Sequence, residues 1–168
     1  MQQQSLPLTV RPATEEDLPR ILDIYAGARR RMAAGGNATQ WGDHYPPADL
    51  LAEELHAGCL YAIVGAGILR GVFSFRIGPD PTYARIGEGA WLSDTPYGTV
   101  HRLAGDGETH GIFAAAIAFC RGRISHLRID THENNRIMQK LITRSGFVRC
   151  GIIQTDDGTT RIAYESIS

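Results

Sequence analysis

Apolar residues in the first third of the chain recur at the spacing of a helix. They form one stripe that contains Leu18, Ile21, Leu22, Tyr25, Ala28 and Met32, as in an amphipathic helix. Thr14 and Asp17 precede this stripe with the spacing of a capping box. The pattern predicts a short strand over 8–11 and a helix over 15–32. After a loop rich in Gly, Asn, Asp and Pro, Asp49 is predicted to cap a second helix.

The remaining pattern alternates between strands and helices. Two β-rich runs, 60–64 and 68–76, are separated by a Gly-Ala-Gly tripeptide and predict an antiparallel hairpin. Residues 83–91 are predicted as a further strand or an ordered loop. The apolar spacing then predicts, in chain order, a strand over 99–104, a helix over 111–120, a strand over 126–130, a helix over 134–145 and strands over 147–153 and 161–167. This order predicts an α/β fold in which helices cover a mixed sheet.

Composition and charge narrow the class of protein. The chain has 168 residues, and its 17 Lys and Arg against 18 Asp and Glu leave a net charge of −1. This balance provides no overall field for nucleic acid. No apolar run reaches the roughly 20 residues that span a bilayer, and no secretory signal is visible. We expect a cytoplasmic protein with one domain over 1–168, a disordered tail over 1–7, free buried cysteines, and no nucleic-acid or membrane partner.

A glycine-rich loop marks a candidate anion site. Gly105, Asp106 and Gly107 follow a predicted strand and lead to a predicted helix that begins near Gly111. Backbone N–H groups at the start of a helix are unpaired and lie at the positive end of its dipole, which suits a phosphate. The loop lacks the lysine of a Walker motif and carries no G-x-G-x-x-G pattern, so nucleotide hydrolysis and dinucleotide binding are poorly supported.

Several motifs together resemble the GNAT superfamily of acyl-CoA-dependent N-acyltransferases, and in particular a bacterial subgroup. The segments that carry the resemblance are Val10-Arg-Pro-Ala-Thr14 with Glu16-Asp-Leu18, the late helix with Asn135, Leu141, Gly146 and Phe147, and residues 97–102 and 127–132. The predicted order of elements also matches along nearly the whole chain. The resemblance implies a mixed, centrally splayed β-sheet with helices on both faces.

The resemblance also implies how acetyl-CoA binds as a co-substrate. Its pantetheine arm would enter between the strands over 99–104 and 126–130, because backbone groups exposed by a gap in a parallel ladder need partners. The residues implied in cofactor binding are Leu103 and Ala104 beside the arm, Asn135 on the late helix, and the amides of Glu108, Thr109, His110, Gly111, Ile112 and Phe113 around the pyrophosphate. Two positions depart from the family pattern: the phosphate motif begins with an acid at Glu108 and ends with an aromatic at Phe113, and Ile142 replaces the tyrosine that often protonates the thiolate.

Two residues are candidates for catalysis. His101 lies on the predicted central strand, and a histidine has a suitable pKa to accept a proton from an ammonium group. Glu88 could relay the same proton. The competing interpretations are a structural histidine in the sheet and a solvated surface carboxylate. Likewise, Asn135 could serve only as a helix cap, and Trp91 and Tyr97 could be core residues rather than walls of the acceptor pocket.

Four polar residues, His126, Arg128, Asp130 and His132, share one face of a strand. Residues spaced along a strand converge poorly on a metal ion, so no metal site is predicted.

The resemblance and the candidate residues together predict an N-acetyltransferase that transfers an acetyl group from acetyl-CoA, by direct attack, to a primary amine of a small molecule or peptide. The alternative is a protein of the same fold that binds CoA or another small ligand without turnover. A homodimer agrees with the resemblance.

Overall fold

A computed structural model of the chain describes residues 6–167. The strands are β1 (Leu8–Pro12), β2 (Leu60–Gly65), β3 (Ile68–Ile77), β4 (Gly98–Gly105), β5 (His126–Thr131), β6 (Val148–Gln154) and β7 (Thr160–Ile167). The helices are α1 (Leu18–Ala34), α2 (Ala48–His56), α3 (Ile112–Arg121) and α4 (Arg136–Arg144), and two short 3-10 helices span Glu15–Asp17 and Pro81–Tyr83. Within this described range, no helix combines the length and apolarity needed to cross a membrane.

The strands form a seven-stranded sheet in the order β1-β2-β3-β4-β5-β7-β6. Its central neighbours, β4 and β5, are parallel, and the other pairs are antiparallel. One face of the sheet packs on α1 and α2, around Ile21, Tyr25 and Leu51. The other packs on α3 and α4, around Ile117 and Ile142. The predicted mixed sheet with helices on both faces is therefore confirmed.

The centre of the sheet is open at one end. Strands β4 and β5 pair only where 98–100 face 127–129, although β4 continues to Gly105 and β5 to Thr131. The predicted splay is therefore present. Backbone groups on this edge of β4 beyond Val100 have no partner on β5.

A β-bulge in β4 lies where the two strands begin to separate. On β3, Ser74 faces His101 while Val72 faces Ala104, so two residues of β4 are opposite one residue of β3. Arg102 within the bulge has a φ of +51°, which is uncommon for a residue other than glycine. Its carbonyl accepts a hydrogen bond of 2.6 Å from the buried Tyr25 hydroxyl, and this bond holds the bulge against α1.

Most predicted elements are present, with shifts at their ends. The capping box forms, since Thr14 N donates to Asp17 Oδ2 at 2.8 Å, but the first turn is a 3-10 helix. The predicted Asp49 cap is wrong: the N-cap is Pro47, two residues earlier, and α2 begins at Ala48. The Asp49 carboxylate accepts from the Leu50 N–H instead. The segment 83–91 is an ordered loop rather than a strand, with a single bridge between Gly87 and Ile152.

Two predictions concern the chain ends and the cysteines. Of the predicted tail over 1–7, residues 1–5 lie outside the described residues, and Leu6 lies against Gly65 of β2. Cys59, Cys120 and Cys150 are all buried and unpaired, as expected from their odd number and their apolar surroundings.

Candidate active site

A cavity of about 1240 Å³ opens at the end of the sheet where β4 and β5 separate. We refer to it as the cleft. Its walls come from the end of α1, the loop between α1 and α2, β4, the end of β5, the start of α4 and the turn between β6 and β7. The gap in the sheet forms part of this wall, so unpaired strand edges and side chains from both helical layers meet there. Such convergence is typical of ligand sites.

The bulge in β4 presents two successive side chains to the same face of the sheet. His101 points toward Asp80, and Arg102 forms an ion pair with Glu54 of α2. Arg102 Nη1 also donates to the Tyr45 hydroxyl at 3.0 Å. In a regular strand these neighbours would point to opposite faces. The bulge therefore places both a histidine and an arginine in the cleft.

His101 lies between two carboxylates. Its Nε2 is 2.7 Å from Asp80 Oδ2, and its Nδ1 is 3.9 Å from Asp130 Oδ2. The Tyr83 hydroxyl donates to the same Asp130 oxygen at 2.5 Å. Burial lowers the pKa of His101, but the hydrogen bond to Asp80 and the negative charges of Asp130 and Asp80 outweigh burial, so the pKa is raised above 6.5. The side chain remains 27% exposed, and so a ligand in the cleft can reach it.

Asp80 is oriented by a short 3-10 helix. It precedes Pro81–Tyr83, and its Oδ1 accepts from the Thr82 N–H at 2.9 Å and from the Thr82 hydroxyl at 2.6 Å. Burial raises the pKa of this carboxyl group, but the bonds from His101 and Thr82 together lower it to about 2. Asp80 is therefore ionised, with one oxygen held by Thr82 and the other facing His101.

The carboxylates beside His101 are not the one singled out from the sequence. Glu88 is exposed and does not line the cleft, so the structure does not bring it to His101. Asp80 and Asp130 take that place. From the sequence, Asp130 is considered only as a metal ligand, and Asp80 is not singled out. Its position before Pro81, where a side chain can cap a helical turn, was the one available signal.

The predicted phosphate loop is partly filled by its own carboxylate. Asp106 Oδ1 accepts from the amides of Glu108 at 2.9 Å and Thr109 at 2.8 Å. These two amides are therefore not free for a pyrophosphate, which corrects that part of the prediction. Gly111 precedes α3 with a φ of +87°, and the side chains of Ile112 and Phe113 pack in the core. The wall of the cleft includes Gly105 but none of residues 106–113. His110, one of these residues, is exposed and lies outside the wall.

Arg31 is a cation at this end of the cleft that was not foreseen. Arg31 Nη2 donates to the Gly105 carbonyl at 2.6 Å. Its guanidinium lies across Gly107, where a Cβ would meet Nη1 at 2.8 Å. The signal was the helical spacing itself, because residue 31 follows Ala28 by three positions and so lies near the buried stripe.

Leu103, Ala104 and Asn135 all line the cleft. The first two point to opposite faces of the sheet, since Leu103 packs toward α3 and Ala104 toward α1, so only their backbone can face the same ligand. Asn135 caps α4: its Oδ1 accepts from the Met138 N–H at 3.1 Å, and its Nδ2 donates to Gln40 at 3.2 Å. The structure thus shows the capping role of Asn135.

Three aromatic residues of the loops around the cleft, Trp41, Trp91 and Tyr97, separate into two groups. Trp41 lines the cleft and packs edge-on against Tyr25, with 5.6 Å between ring centroids. Trp91 and Tyr97 do not line the cleft but a smaller neighbouring cavity beside Asp80. Both contact the Arg128 guanidinium, at 3.9 and 4.0 Å from their ring centroids. Within residues 6–167, no cluster of three or more His, Cys, Asp or Glu suits a metal ion.

Comparison with solved structures shows what this architecture is similar to. A GNAT-family acetyltransferase from Streptococcus agalactiae superposes with a TM-score of 0.88 at 27% identity, covering 98% of this chain and 99% of that one. This likeness over nearly the whole chain supports a GNAT superfamily N-acetyltransferase. The mixed sheet flanked by helices thus matches the fold of these acetyltransferases.

More distant GNAT structures share the same fold. One from Listeria monocytogenes has a TM-score of 0.71 at 22% identity, with 96% of this chain and 95% of that one covered. The structure of yncA from Salmonella typhimurium with its cofactor acetyl-CoA has a TM-score of 0.62 at 15% identity, with 96% and 94% covered. No protein-family model and no curated protein matches the sequence. The solved relatives indicate acetyl transfer in general.

Proposed function

We propose that this GNAT protein transfers an acetyl group from acetyl-CoA to a primary amine by direct attack. The acceptor is a small molecule or a peptide. The observation that carries this proposal is the placement of His101, with its two carboxylate partners, in the cleft at the gap between β4 and β5. A proton acceptor and an unpaired strand edge therefore line the same cavity.

The residues present fit the arm of acetyl-CoA better than its pyrophosphate. Beyond Val100, the edge of β4 has no partner on β5, and an amide-bearing arm supplies donors and acceptors to such an edge. At the phosphate end, Asp106 occupies two of the expected amides. Arg31 and Arg136 line the cleft and can supply positive charge there. In this proposal arginine side chains replace part of the backbone cradle.

The chain's own groups handle the amine and its protons. Asp130 attracts the ammonium form of the acceptor, and neutral His101 takes one proton from it. The neutral amine then attacks the thioester carbonyl carbon, a C–N bond forms and the C–S bond breaks. The departing thiolate takes the second proton of the amine, which leaves an amide, a thiol and a protonated His101. Holding both reactants in one cleft supplies much of the acceleration.

CoA release measured against a panel of amines tests this function. We expect thiol release that depends on both acetyl-CoA and amine. His56→Ala serves as the matched control, because the His56 ring is exposed and lies on α2 with only Glu15 as a partner. Equal turnover by His101→Ala and the parent at every pH would remove His101 from the mechanism.

One observation favours the alternative of a CoA-binding protein without turnover. Ile142, at the position where the family often has a tyrosine, is fully buried in the core under α4, so no hydroxyl can protonate a thiolate from that position. Saturable CoA binding with no amine-dependent thiol release would support this alternative. Our mechanism needs no such acid, because the amine itself provides the second proton.

The phosphate end of the cleft can be tested apart from turnover. Removing the Arg31 cation should weaken acetyl-CoA binding in Arg31→Ala by about 10-fold, the scale of one charge-assisted contact. Asp106→Asn should strengthen it, because a carboxylate beside a pyrophosphate is repulsive. Isothermal titration of acetyl-CoA measures both. The same sign of change in both variants would show that this loop does not face the phosphates.

A further inference from the structure

We propose that Tyr97 is a positioning residue for His101, because it fixes the segment that carries Asp80 and is itself held by the buried Arg128. The role of Tyr97 in catalysis rests on the proposed function, whereas its effect on His101 can be measured without turnover. Tyr97 does not line the cleft. Its ring neighbours that of Tyr83, with 6.2 Å between centroids, but its hydroxyl is bonded to the Asp80 N–H, so the hydroxyl acts on His101 through Asp80.

Tyr97 grips the Asp80 segment at two points. The Gly78 N–H donates to the Tyr97 carbonyl at 3.0 Å, and the Asp80 N–H donates to the Tyr97 hydroxyl at 2.8 Å. The backbone and the side chain of one residue thus hold both ends of a three-residue stretch. Asp80 then directs one carboxylate oxygen to Thr82 and the other to His101.

The ring of Tyr97 is itself fixed by a buried cation. The Arg128 guanidinium lies 4.0 Å from the Tyr97 ring centroid and 3.9 Å from that of Trp91. Arg128 Nε donates to Glu165 at 3.1 Å, and Nη2 donates to the Ser93 carbonyl at 2.8 Å. Arg128 is 5% exposed and Glu165 is fully buried. A planar cation stacked on aromatic faces and paired in the interior has little freedom to move.

The whole loop from Trp91 to Tyr97 shares this anchor. The Leu92 N–H donates to Glu165 Oε2 at 2.6 Å, and His126 Nδ1 lies 2.9 Å from the Thr95 hydroxyl. Residues of β5 and β7 therefore bond to this loop, and Tyr97, at the end of the loop, bonds to Asp80. The contacts form one continuous path from Glu165 through Arg128, Tyr97 and Asp80 to His101.

Of the polar and charged groups that face His101, Asp80 is the one that Tyr97 holds in place. Asp130 approaches from β5 and is held by Tyr83, whose ring lies 5.9 Å from the imidazole. Arg102 is next along β4, and its charge is paired with Glu54. On β3 the facing residue is Ser74, which is uncharged. Only Asp80 among these groups is bonded directly to Tyr97, so loss of the phenol should act through Asp80.

The test is an NMR titration of the His101 ring in the full chain, together with steady-state kinetics. Tyr97→Phe removes the hydroxyl but keeps the ring on Arg128. We expect the pKa of His101 to fall, and kcat to drop about 10-fold through misplacement of the base, with KM for acetyl-CoA unchanged. Tyr61→Phe is the matched control, because the Tyr61 side chain packs against the core on the α3 side of the sheet. Asp80→Asn is the positive control and should lower the pKa further.

A second variant tests the anchor itself. Arg128→Lys keeps the positive charge beside Glu165 but removes the planar group between the two rings. It should shift the His101 titration in the same direction as Tyr97→Phe, and the double variant should shift it no further than the larger single change. A His101 titration unmoved by Tyr97→Phe would overturn the proposal. So would one unmoved by Asp80→Asn, because Asp80 would then not govern His101. Either result is read without turnover, so it stands apart from any failure of the proposed activity.

Discussion

The molecule holds two histidine–carboxylate sites on neighbouring central strands, and they differ mainly in access. We call His101 with Asp80 and Asp130 the open histidine site, and His126 with Glu165 and Arg128 the closed histidine site. In the open site, the His101 side chain is 27% exposed and faces the cleft. In the closed site, the His126 side chain is 3% exposed and the Glu165 side chain is fully buried. The second site is sealed by the loop over 91–97.

The open and closed histidine sites also differ in their balance of charge. The open site has two carboxylates around one imidazole, so it retains negative charge that can attract an ammonium group. In the closed site Arg128 neutralises Glu165. Burial raises the pKa of Glu165, but bonds from Leu92, His126 and Arg128 lower it overall. In our proposal, similar side chains thus serve chemistry where solvent and a ligand can enter, and they hold a loop in place where neither can.

The largest effect that separates the two sites concerns stability. Arg128→Ala leaves the buried Glu165 without its cation, and breaking a buried pair in this way costs about 3–5 kcal/mol. We expect a loss of that size in the free energy of unfolding, measured by urea denaturation. Asp80→Ala in the open site should cost far less, because water can reach His101. Comparable losses in the two variants would contradict the distinction between an open and a closed site.

The next effect concerns turnover. His101→Gln removes the proposed proton acceptor, and general base catalysis typically contributes 10²-fold or more, so kcat should fall about 100-fold. That factor corresponds to about 2.7 kcal/mol in the barrier. Binding of acetyl-CoA should not change. Thiol release and calorimetry on the same preparation check both expectations, and a parallel loss of acetyl-CoA affinity would place His101 in cofactor binding instead.

The pH dependence of stability should report the open site. The folded pKa of His101 is raised, so its contribution is complete below about pH 6.5, the unfolded value, and is lost as the pH rises through the folded pKa. The pKa of Asp80 is lowered to about 2, so its contribution is present above about pH 4 and is lost as the pH falls toward 2. Their joint contribution should therefore be greatest between about pH 4 and pH 6.5. Melting temperatures of parent and His101→Gln across pH should converge at alkaline pH.

The smallest effect concerns cysteine reactivity in the closed site. Cys150 Sγ lies 3.6 Å from Glu165 Oε2, and burial, followed by the charge and hydrogen bond of Glu165, raises the pKa of its thiol to about 11. The thiol should resist alkylation at pH 8, because the thiolate is the reactive form. Mass spectrometry after iodoacetamide treatment measures this. Rapid labelling of the native protein would show that the site opens to solvent.

Much of the fold could be predicted from local pattern. The stripe from Leu18 to Met32, the Gly-Ala-Gly hairpin turn and the alternation of strands with helices each reflect interactions between residues close in sequence. The predicted ends of the elements were less accurate where two residues could each start a helix. At α2, Pro47 rather than Asp49 precedes the first turn. His101 was identified as a candidate because histidine already has a pKa suited to accepting a proton from an ammonium group.

The partners of these residues depend on contacts across the sheet. Asp80 precedes His101 by 21 positions and Glu165 follows His126 by 39, so no periodicity connects them. Glu88 is nearer to His101 in sequence, yet it points to solvent. Arg31 reaches Gly105 from a different helix. Amino-acid order by itself thus determined the elements and their order along the chain, and it indicated His101 as a candidate base. The tertiary structure alone decided that Asp80 and Asp130 lie beside His101, and that Asp106 accepts from the amides of the predicted phosphate loop. Electrostatic and hydrogen-bond partners are set by distance in space rather than along the chain.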